Sequence, residues 1–390
     1  MLGLVALTAS CGSDAEHDGG GAGTSSVAGA SLGGGGSAAA PGAGGAAYPW
    51  GSVGSAGTAT PGGGGTPGGA AGGARGGAPG AAGNSGPGVA GNGAQVSDCV
   101  PNGRARNPLV SQIFTADPNA IEYDGRLYVY VSHDEDGMTA YDMVDHHVFS
   151  SDDLVNWQDH GVVIRADDLT WGSLLYAPTA CERDGTYYMF LTNGGSQIGV
   201  AVADNPGGPF TDPLRRGLLT PSFPNADVPW LFDPACFIDD DGQAYLYFGG
   251  GPDGGQNARV VRLNEDMVSL MDASATTIPT TEFFEASFMH KHEGTYYFSY
   301  SASFNDGHNA DLEYYMADNP MMEGGRYMGA LLRNDGGVNG DNNHGSIVEF
   351  QGKHYIFYHN RKLTRDLGRN NSFERSIAVQ ELTYAAIRIA

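Results

Sequence analysis

The sequence predicts an all-β fold, a five-bladed β-propeller preceded by a disordered Gly-rich tail. Three observations predict it. One phrase recurs five times, starting at Asp117-Pro118, Ala177-Pro178, Asp233-Pro234, Glu285-Ala286 and His344-Gly345. Each phrase runs to a glycine (Gly125, Gly185, Gly242, Gly294, Gly352) and then to a tyrosine in an aromatic-rich stretch (Tyr128, Tyr188, Tyr245, Tyr297, Tyr355). The period is about 52 to 60 residues, which suits one supersecondary unit per repeat.

Each unit reads as a hairpin. "AIEYDGRLYVYVS", "TACERDGTYYMFLT", "CFIDDDGQAYLYFG", "FMHKHEGTYYFSYS" and "IVEFQGKHYIFYH" place two β-rich runs around an Asp-Gly, Glu-Gly or Gln-Gly turn. The glycine there supplies the positive φ that a tight hairpin requires. One such sheet cannot bury both faces, so five must stack radially around an axis. In a propeller the first strand of each blade lines that axis. The opening residues Asp117, Asp233, Glu285 and His344 are therefore expected to converge on one cavity. A single Asp-Pro commonly marks no more than a turn. Three acids in equivalent places of a phased repeat point instead to a titratable cluster of the kind that does chemistry.

The first 96 residues are a different material. Residues 1–17 begin with a short apolar run, "MLGLVALTAS", that ends at Cys11 and resembles the end of a bacterial lipoprotein signal. The run lacks a basic leading segment, has Thr8 where such signals carry leucine, and is far too short to span a bilayer. If translation begins upstream, export and a lipid on Cys11 follow. Residues 18–96 are Gly, Ala, Ser and Pro with almost no charge, so they cannot bury a core and are expected to stay disordered. A coil of that length has an end-to-end distance of ~50 Å. The expected localisation is accordingly an exported protein, a cell-surface lipoprotein or a secreted one, whose membrane contact is only through Cys11. Residues 97–390 form the propeller, expected to act as a monomer.

Charge excludes several partners. The chain carries a formal net charge of −24, and of its charged residues only Asp14, Glu16, Asp18 and Arg75 precede residue 97. A field of that sign opposes nucleic acid and anionic membrane surfaces and leaves neutral polymers unaffected. Of the four cysteines, Cys99, Cys181 and Cys236 form an odd set once Cys11 is lipidated. Cys181 and Cys236 follow their blade openings by four and three residues, so neighbouring blades would present them to each other. Two buried free thiols are nonetheless the expected state.

The ordered motifs "TADPNAIEYDGRLYVYVSHDE", "VFSSDDLVNWQDHG", "IGVAVADNPGGPF", "FDPACFIDDDGQAYLYFGG", "FFEASFMHKHEGTYYFSYS" and "NNHGSIVEFQGKHYIFYHNRK" run from about Asn107 to Tyr384. In that order they resemble glycoside hydrolase family 43, five-bladed propellers that cut arabinose- and xylose-containing glycans. The resemblance implies Asp117 as general base, Asp233 as the acid that tunes pKa and orients, and Glu285 as general acid. Inverting hydrolysis asks for this pairing, with the two carboxyls about 6.5–9.5 Å apart. A negative Asp233 beside Glu285 would keep the acid protonated.

Two departures occur: Glu285 is followed by Ala286-Ser287 where relatives have Gly-Pro or Ala-Pro, and blade two opens with Tyr176 where Trp is frequent. Phe114, Trp171, Tyr176 and Phe232 are candidate sugar platforms, with packing between blades the alternative for each. The resemblance implies a Ca2+ ion at the axis near His344; the alternative is an imidazole within the axial hydrogen-bond network. His133, Asp134 and Arg361 are candidate sugar-hydroxyl contacts, with an ordinary surface role the alternative for Asp134. The implied activity is exo-acting, inverting removal of arabinose or xylose from plant cell-wall polysaccharides, an α-L-arabinofuranosidase or β-xylosidase. An endo-α-1,5-L-arabinanase is the alternative within the class, and a non-catalytic glycan-binding propeller the alternative outside it.

Overall fold

The computed structural model describes residues 3–6, 106–252, 255–303, 310–334 and 342–386. The stretch 18–96, Cys11 and Cys99 lie outside these residues. Strand β1 (Gly3–Ala6) pairs antiparallel with the last strand of the chain, so part of the run read as a signal stands at a sheet edge. No helix among the described residues is long and apolar enough to cross a membrane.

Five antiparallel sheets follow in sequence. Blade one holds β2 (Phe114–Tyr123), β3 (Arg126–Asp134), β4 (Asp145–Ser151) and β5 (Gln158–Arg165). Blade two holds β6 (Leu175–Arg183), β7 (Thr186–Asn193) and β8 (Ile198–Ala203). Blade three holds β9 (Ala235–Ile238), β10 (Ala244–Phe248), β11 (Arg259–Arg262) and β12 (Thr276–Thr277). Blade four holds β13 (Phe283–His292), β14 (Thr295–Ala302), β15 (Leu312–Ala317) and β16 (Arg326–Leu332). Blade five holds β17 (Gly345–Phe350), β18 (Lys353–Asn360) and β19 (Ser376–Ala386), with β1 on its edge and the short α1 (Lys362–Asp366) between β18 and β19. The inner strands contact one another in the cycle β2, β6, β9, β13, β17 and back to β2, which closes the propeller.

The hairpins that join the first two strands of each blade take the expected form in four cases. Asp124-Gly125, Asp184-Gly185, Glu293-Gly294 and Gln351-Gly352 all have positive φ at both positions, as a two-residue type I′ turn requires. Blade three differs because "DDDG" is longer. There Asp239 and Gln243 close the turn, with Gly242 alone at positive φ.

Stacked blades bury aromatic and branched side chains in five layers, one per blade junction. Phe149, Trp157 and Phe357 fill the junction of blades one and five, and Tyr247, Phe298 and Tyr300 that of blades three and four. Each such side chain, fully buried, contributes about 1.5–3 kcal/mol.

The expectation of free thiols at Cys181 and Cys236 is overturned: they form a disulfide, with Cα atoms 6.1 Å apart. Their offsets from the blade openings differ by one residue, so they point to opposite faces of their own sheets. The inner strands β6 and β9 are neighbours, which turns those two faces toward each other. The bond spans 55 residues, and loop-closure entropy assigns such a link about 4 kcal/mol. Reduction, or Cys181→Ser with Cys236→Ser, is expected to lower the melting temperature by several degrees, read by calorimetry with and without reductant.

Candidate active site

The axial residues are held by a backbone device repeated around the ring. Asp117 (φ 52°), Ala177 (φ 38°), Asp233 (φ 48°) and Ala286 (φ 64°) all adopt a left-handed backbone at the start of their blades. Each such residue costs of order 1–3 kcal/mol. In blades one, two and four the inner strand slips register at this point. Three of the four N–H groups are taken by side chains of adjacent blades. Asp117 donates to His359 Nδ1 at 3.1 Å, Ala177 to Ser132 Oγ at 2.9 Å, and Ala286 to Asp233 Oδ2 at 2.8 Å.

This geometry corrects the phase read from the repeat. Asp117 lies four residues before Ile121, which pairs with Tyr128; Ala286 lies four before His290, which pairs with Tyr297. Ala286 is therefore the counterpart of Asp117 and Asp233, and Glu285 stands one residue earlier. A small residue with a free N–H is what position 286 requires, and alanine supplies it.

Asp117 is 5% exposed. Burial would raise its carboxyl, but the Arg375 guanidinium (Nη1 to Oδ1, 3.1 Å), then His359 and His344, hold it well below the ordinary carboxylate range. Arg375 is itself clamped by Asp134, with Nε to Oδ2 and Nη2 to Oδ1 both 2.8 Å. Asp134 has no exposed surface, so its role is to orient the arginine rather than to serve the surface. His359 accepts the Asp117 N–H at Nδ1, which leaves Nε2 to donate to Asn342 Oδ1 at 3.1 Å. Asn342 also bonds the Glu285 side chain, so Asp117 and Glu285 are linked through two residues, His359 and Asn342.

Asp233 and Glu285 are pushed the other way. Burial first, then the Asp117 charge, raises the Asp233 carboxyl to about 8, against the Ala286 N–H and Arg375. Burial first, then the charges of Asp233 and Asp117, holds Glu285 well above the usual carboxylate range. The pair keeps at least one proton through neutral pH. Because the Ala286 N–H favours negative charge on Asp233, that proton belongs on Glu285.

A folded-state pKa raised in this way adds stability that is full below the unfolded value near 4 and is lost as pH rises through the folded value. Glu285→Gln is therefore expected to melt at a higher temperature than the wild type at pH 9, with the difference shrinking toward pH 4.

His344 stands between the two aspartates, with Nδ1 3.7 Å from Asp117 Oδ1 and 3.7 Å from Asp233 Oδ2. Burial lowers its pKa to about 4, so the ring is neutral. Tyr176 and Phe232 share one cluster with Met138, Met143 and Ala177, extended by Tyr141, Trp230 and Phe373. Phe114 is buried beneath the Arg369 guanidinium, 5.5 Å from its ring centre.

Two expected sugar contacts are engaged elsewhere. Trp171 bonds Asp212 through Nε1 at 2.8 Å and lies against Gly199 inside blade two. His133 bonds Asp145 at 2.8 Å, on the face of β3 opposite Asp134. Arg361 is half-buried at the start of α1.

Sequence reading missed Arg375, His359, Asn342, Tyr141, Trp230 and Phe373. For Arg375 a signal existed. The chain has 20 basic residues against 44 acids, and an arginine two residues before the apolar Ile377–Val379 stretch calls for an acidic partner once that strand is buried.

A family model described as glycosyl hydrolases family 43 matches residues 105–386. An arabinoxylan arabinofuranohydrolase of Paenibacillus polymyxa is 37% identical over 66% of this chain, and one of Bacillus subtilis is 35% identical over 72%. The chain spans 47% and 62% of the length of those two relatives. A xylosidase/arabinosidase of Humicola insolens is 36% identical over 71% of this chain and 96% of its own length. Among solved structures, an α-L-arabinofuranosidase of Clostridium thermocellum superposes with a TM-score of 0.61 and 44% identity, covering 70% of this chain and 91% of that one. The match runs through all five blades and every axial carboxylate, and the chain belongs to glycosyl hydrolase family 43.

Proposed function

We propose that the protein is an exo-acting, inverting glycosidase that removes arabinofuranose or xylose from plant cell-wall polysaccharides. The observation that carries this reading is the opposite displacement of two buried carboxyls. Asp117 is held ionised by Arg375, and Glu285 is held protonated by burial and its acidic neighbours. Asp117 removes a proton from water as the water attacks the anomeric carbon, and Glu285 gives its proton to the departing oxygen. Asp233 orients the Glu285 segment through the Ala286 N–H. Tyr176, Phe232 and Trp230 offer apolar faces for the sugar ring. A binding module has no use for an ionised and a protonated carboxyl held within one charge cluster.

The exo assignment rests on the names of the relatives. Those above 30% identity are arabinofuranohydrolases and xylosidases, whereas an endo-arabinanase of Bacillus subtilis is 26% identical over 37% of this chain. Turnover is measured on nitrophenyl-arabinofuranoside, nitrophenyl-xyloside and linear arabinan, with proton NMR of the first sugar released. Activity on the nitrophenyl sugars with an inverted anomer is expected. Short oligosaccharides released from arabinan alone would move the assignment to an endo-arabinanase, and a retained anomer would make Asp117 a nucleophile. Glycan affinity without any turnover would reduce the protein to a lectin.

A relative from a compost metagenome was solved in a calcium-free form. In this chain His344 is neutral and its Nδ1 could ligate such an ion, but one nitrogen supplies little of the six to eight oxygens that calcium takes. The residues fit calcium only as a mostly water-ligated ion, whose positive charge would add to that of Arg375 beside Asp117. The reaction above needs no step from it.

We also infer export, with Cys11 as the lipid anchor and residues 18–96 as tether. The Cys181–Cys236 disulfide supports this, because such bonds persist in oxidising compartments. Membrane fractionation of Cys11→Ser in the native host tests the anchor.

A further inference from the structure

Blade one carries a second cluster of ligand-type side chains that the hydrolytic reading does not use. Asp145 and His147 sit at i and i+2 on β4 and so share one face of the sheet. Pairing of Val131 with His147 and of Ser132 with His146 sets His133 opposite Asp145, on that same face. Three donors are thereby gathered by strand register alone. His133 Nδ1 is 2.8 Å from Asp145 Oδ1, His147 Nε2 is 3.7 Å from the same oxygen, and the three ligand atoms lie within 4.8 Å of one another. Among the described residues this is the one group of three or more potential ligands so placed. It does not include His344.

The geometry points to a binding site for a divalent transition ion of the zinc class, held by His133, Asp145 and His147. Two imidazoles and one carboxylate suit zinc, whereas calcium takes oxygen. Zinc with bonds near 2.0–2.1 Å sets its tetrahedral ligands roughly 3.3 Å apart. The present separations reach that value by small side-chain rotations, with the ion replacing the hydrogen now shared by His133 and Asp145.

Access and surroundings agree. The His133 side chain is 20% exposed and that of His147 10% exposed, so an ion can enter from solvent. The other ring nitrogen of His147, Nδ1, is buried without a hydrogen-bond partner and faces Asp159 Oδ1 at 3.7 Å. A slight shift makes Asp159 the carboxylate that orients a ligating histidine from behind. The opposing group is Arg165, which bonds the second Asp145 oxygen at 2.9 Å but is 55% exposed and can swing away. An ion here would pin His133, next to the last residue of β3, Asp134, which holds Arg375.

Untagged protein cleared of metal with chelator is titrated with zinc chloride, and separately with calcium chloride, by calorimetry, and its melting temperature is followed in parallel. One zinc per chain is expected, with a raised melting temperature and no matching calcium signal at this cluster. Changing an outer partner of a metal site alone weakens binding by roughly 10–100-fold, so His133→Gln or His147→Gln should weaken zinc by at least about tenfold. Arg165→Met, a change at a half-exposed residue outside the active site, should tighten zinc several-fold by freeing Asp145. That gain does not depend on the ligand variants folding. Absence of stoichiometric zinc binding, binding unaltered by all three substitutions, or binding lost only in His344→Gln would overturn the site and leave the cluster an ion pair.

Discussion

Asp117→Asn is expected to abolish hydrolysis of every substrate, lowering kcat/KM by about 10³-fold or more, near the upper end of what a positioned base contributes. Asparagine keeps the shape and still accepts a hydrogen bond from Arg375, but it cannot take a proton from water. The contrast with Glu285→Gln is the sharper measurement. Glutamine cannot protonate the departing oxygen, so xylan- or arabinan-type substrates should lose activity by a similar factor. Nitrophenyl substrates, whose leaving group needs little protonation, should keep much of theirs. If both variants fell equally on both substrate types, the assignment of base to Asp117 and acid to Glu285 would be wrong. Binding of a product sugar should survive both changes, since neither alters the aromatic cluster around Tyr176 and Phe232.

What was legible in the sequence follows from how local each feature is. The hairpins were readable because Asp-Gly, Glu-Gly and Gln-Gly turns carry their own backbone demand, and four of them take the expected conformation. The acids were readable because a repeat stamps equivalent positions with a common phrase. Phase was the weak point: Ala286, not Glu285, takes the left-handed backbone and stands eight residues before its hairpin glycine, as Asp117 and Ala177 do. The longer turn of blade three sets Asp233 nine residues before Gly242, the same spacing as Glu285 to Gly294, which hides the offset.

The groups that set the acid–base chemistry were less visible because they come from far along the chain. His359 is 242 residues from Asp117, and Arg375 is 258. Both arrive through closure of the ring by blade five; His359 ends the fifth repeat, where blade one has Ser132, and Arg375 stands outside every repeated phrase. The disulfide was misjudged for a related reason. Side-chain direction favoured pairing, but whether two adjacent blades approach to disulfide distance is a property of the closed ring.

Arg375 is the positioning residue whose loss should matter most after the carboxyls themselves. It lies 97% buried between Asp117 and Asp134, and removing one partner of such a group strands charges at a cost of about 3–5 kcal/mol. Arg375→Met is therefore expected to melt well below wild type. Arg375→Lys keeps a charge but cannot hold Asp134 with two bonds while reaching Asp117. The informative reading is the pH profile of kcat/KM. In the wild type Asp117 stays ionised to pH values well below the ordinary carboxylate range, because the guanidinium, His359 and His344 together outweigh burial. Weakening that cation lets burial act, which favours the protonated form, so the acid limb must move upward toward neutral pH. The alkaline limb belongs to the Asp233–Glu285 pair and moves less, because Arg375 is a smaller influence there than burial and the neighbouring acids. A narrowed profile with its acid side shifted up is the expected result in Arg375→Lys. A uniform fall in activity with both limbs unmoved would mean that Arg375 only holds the fold together.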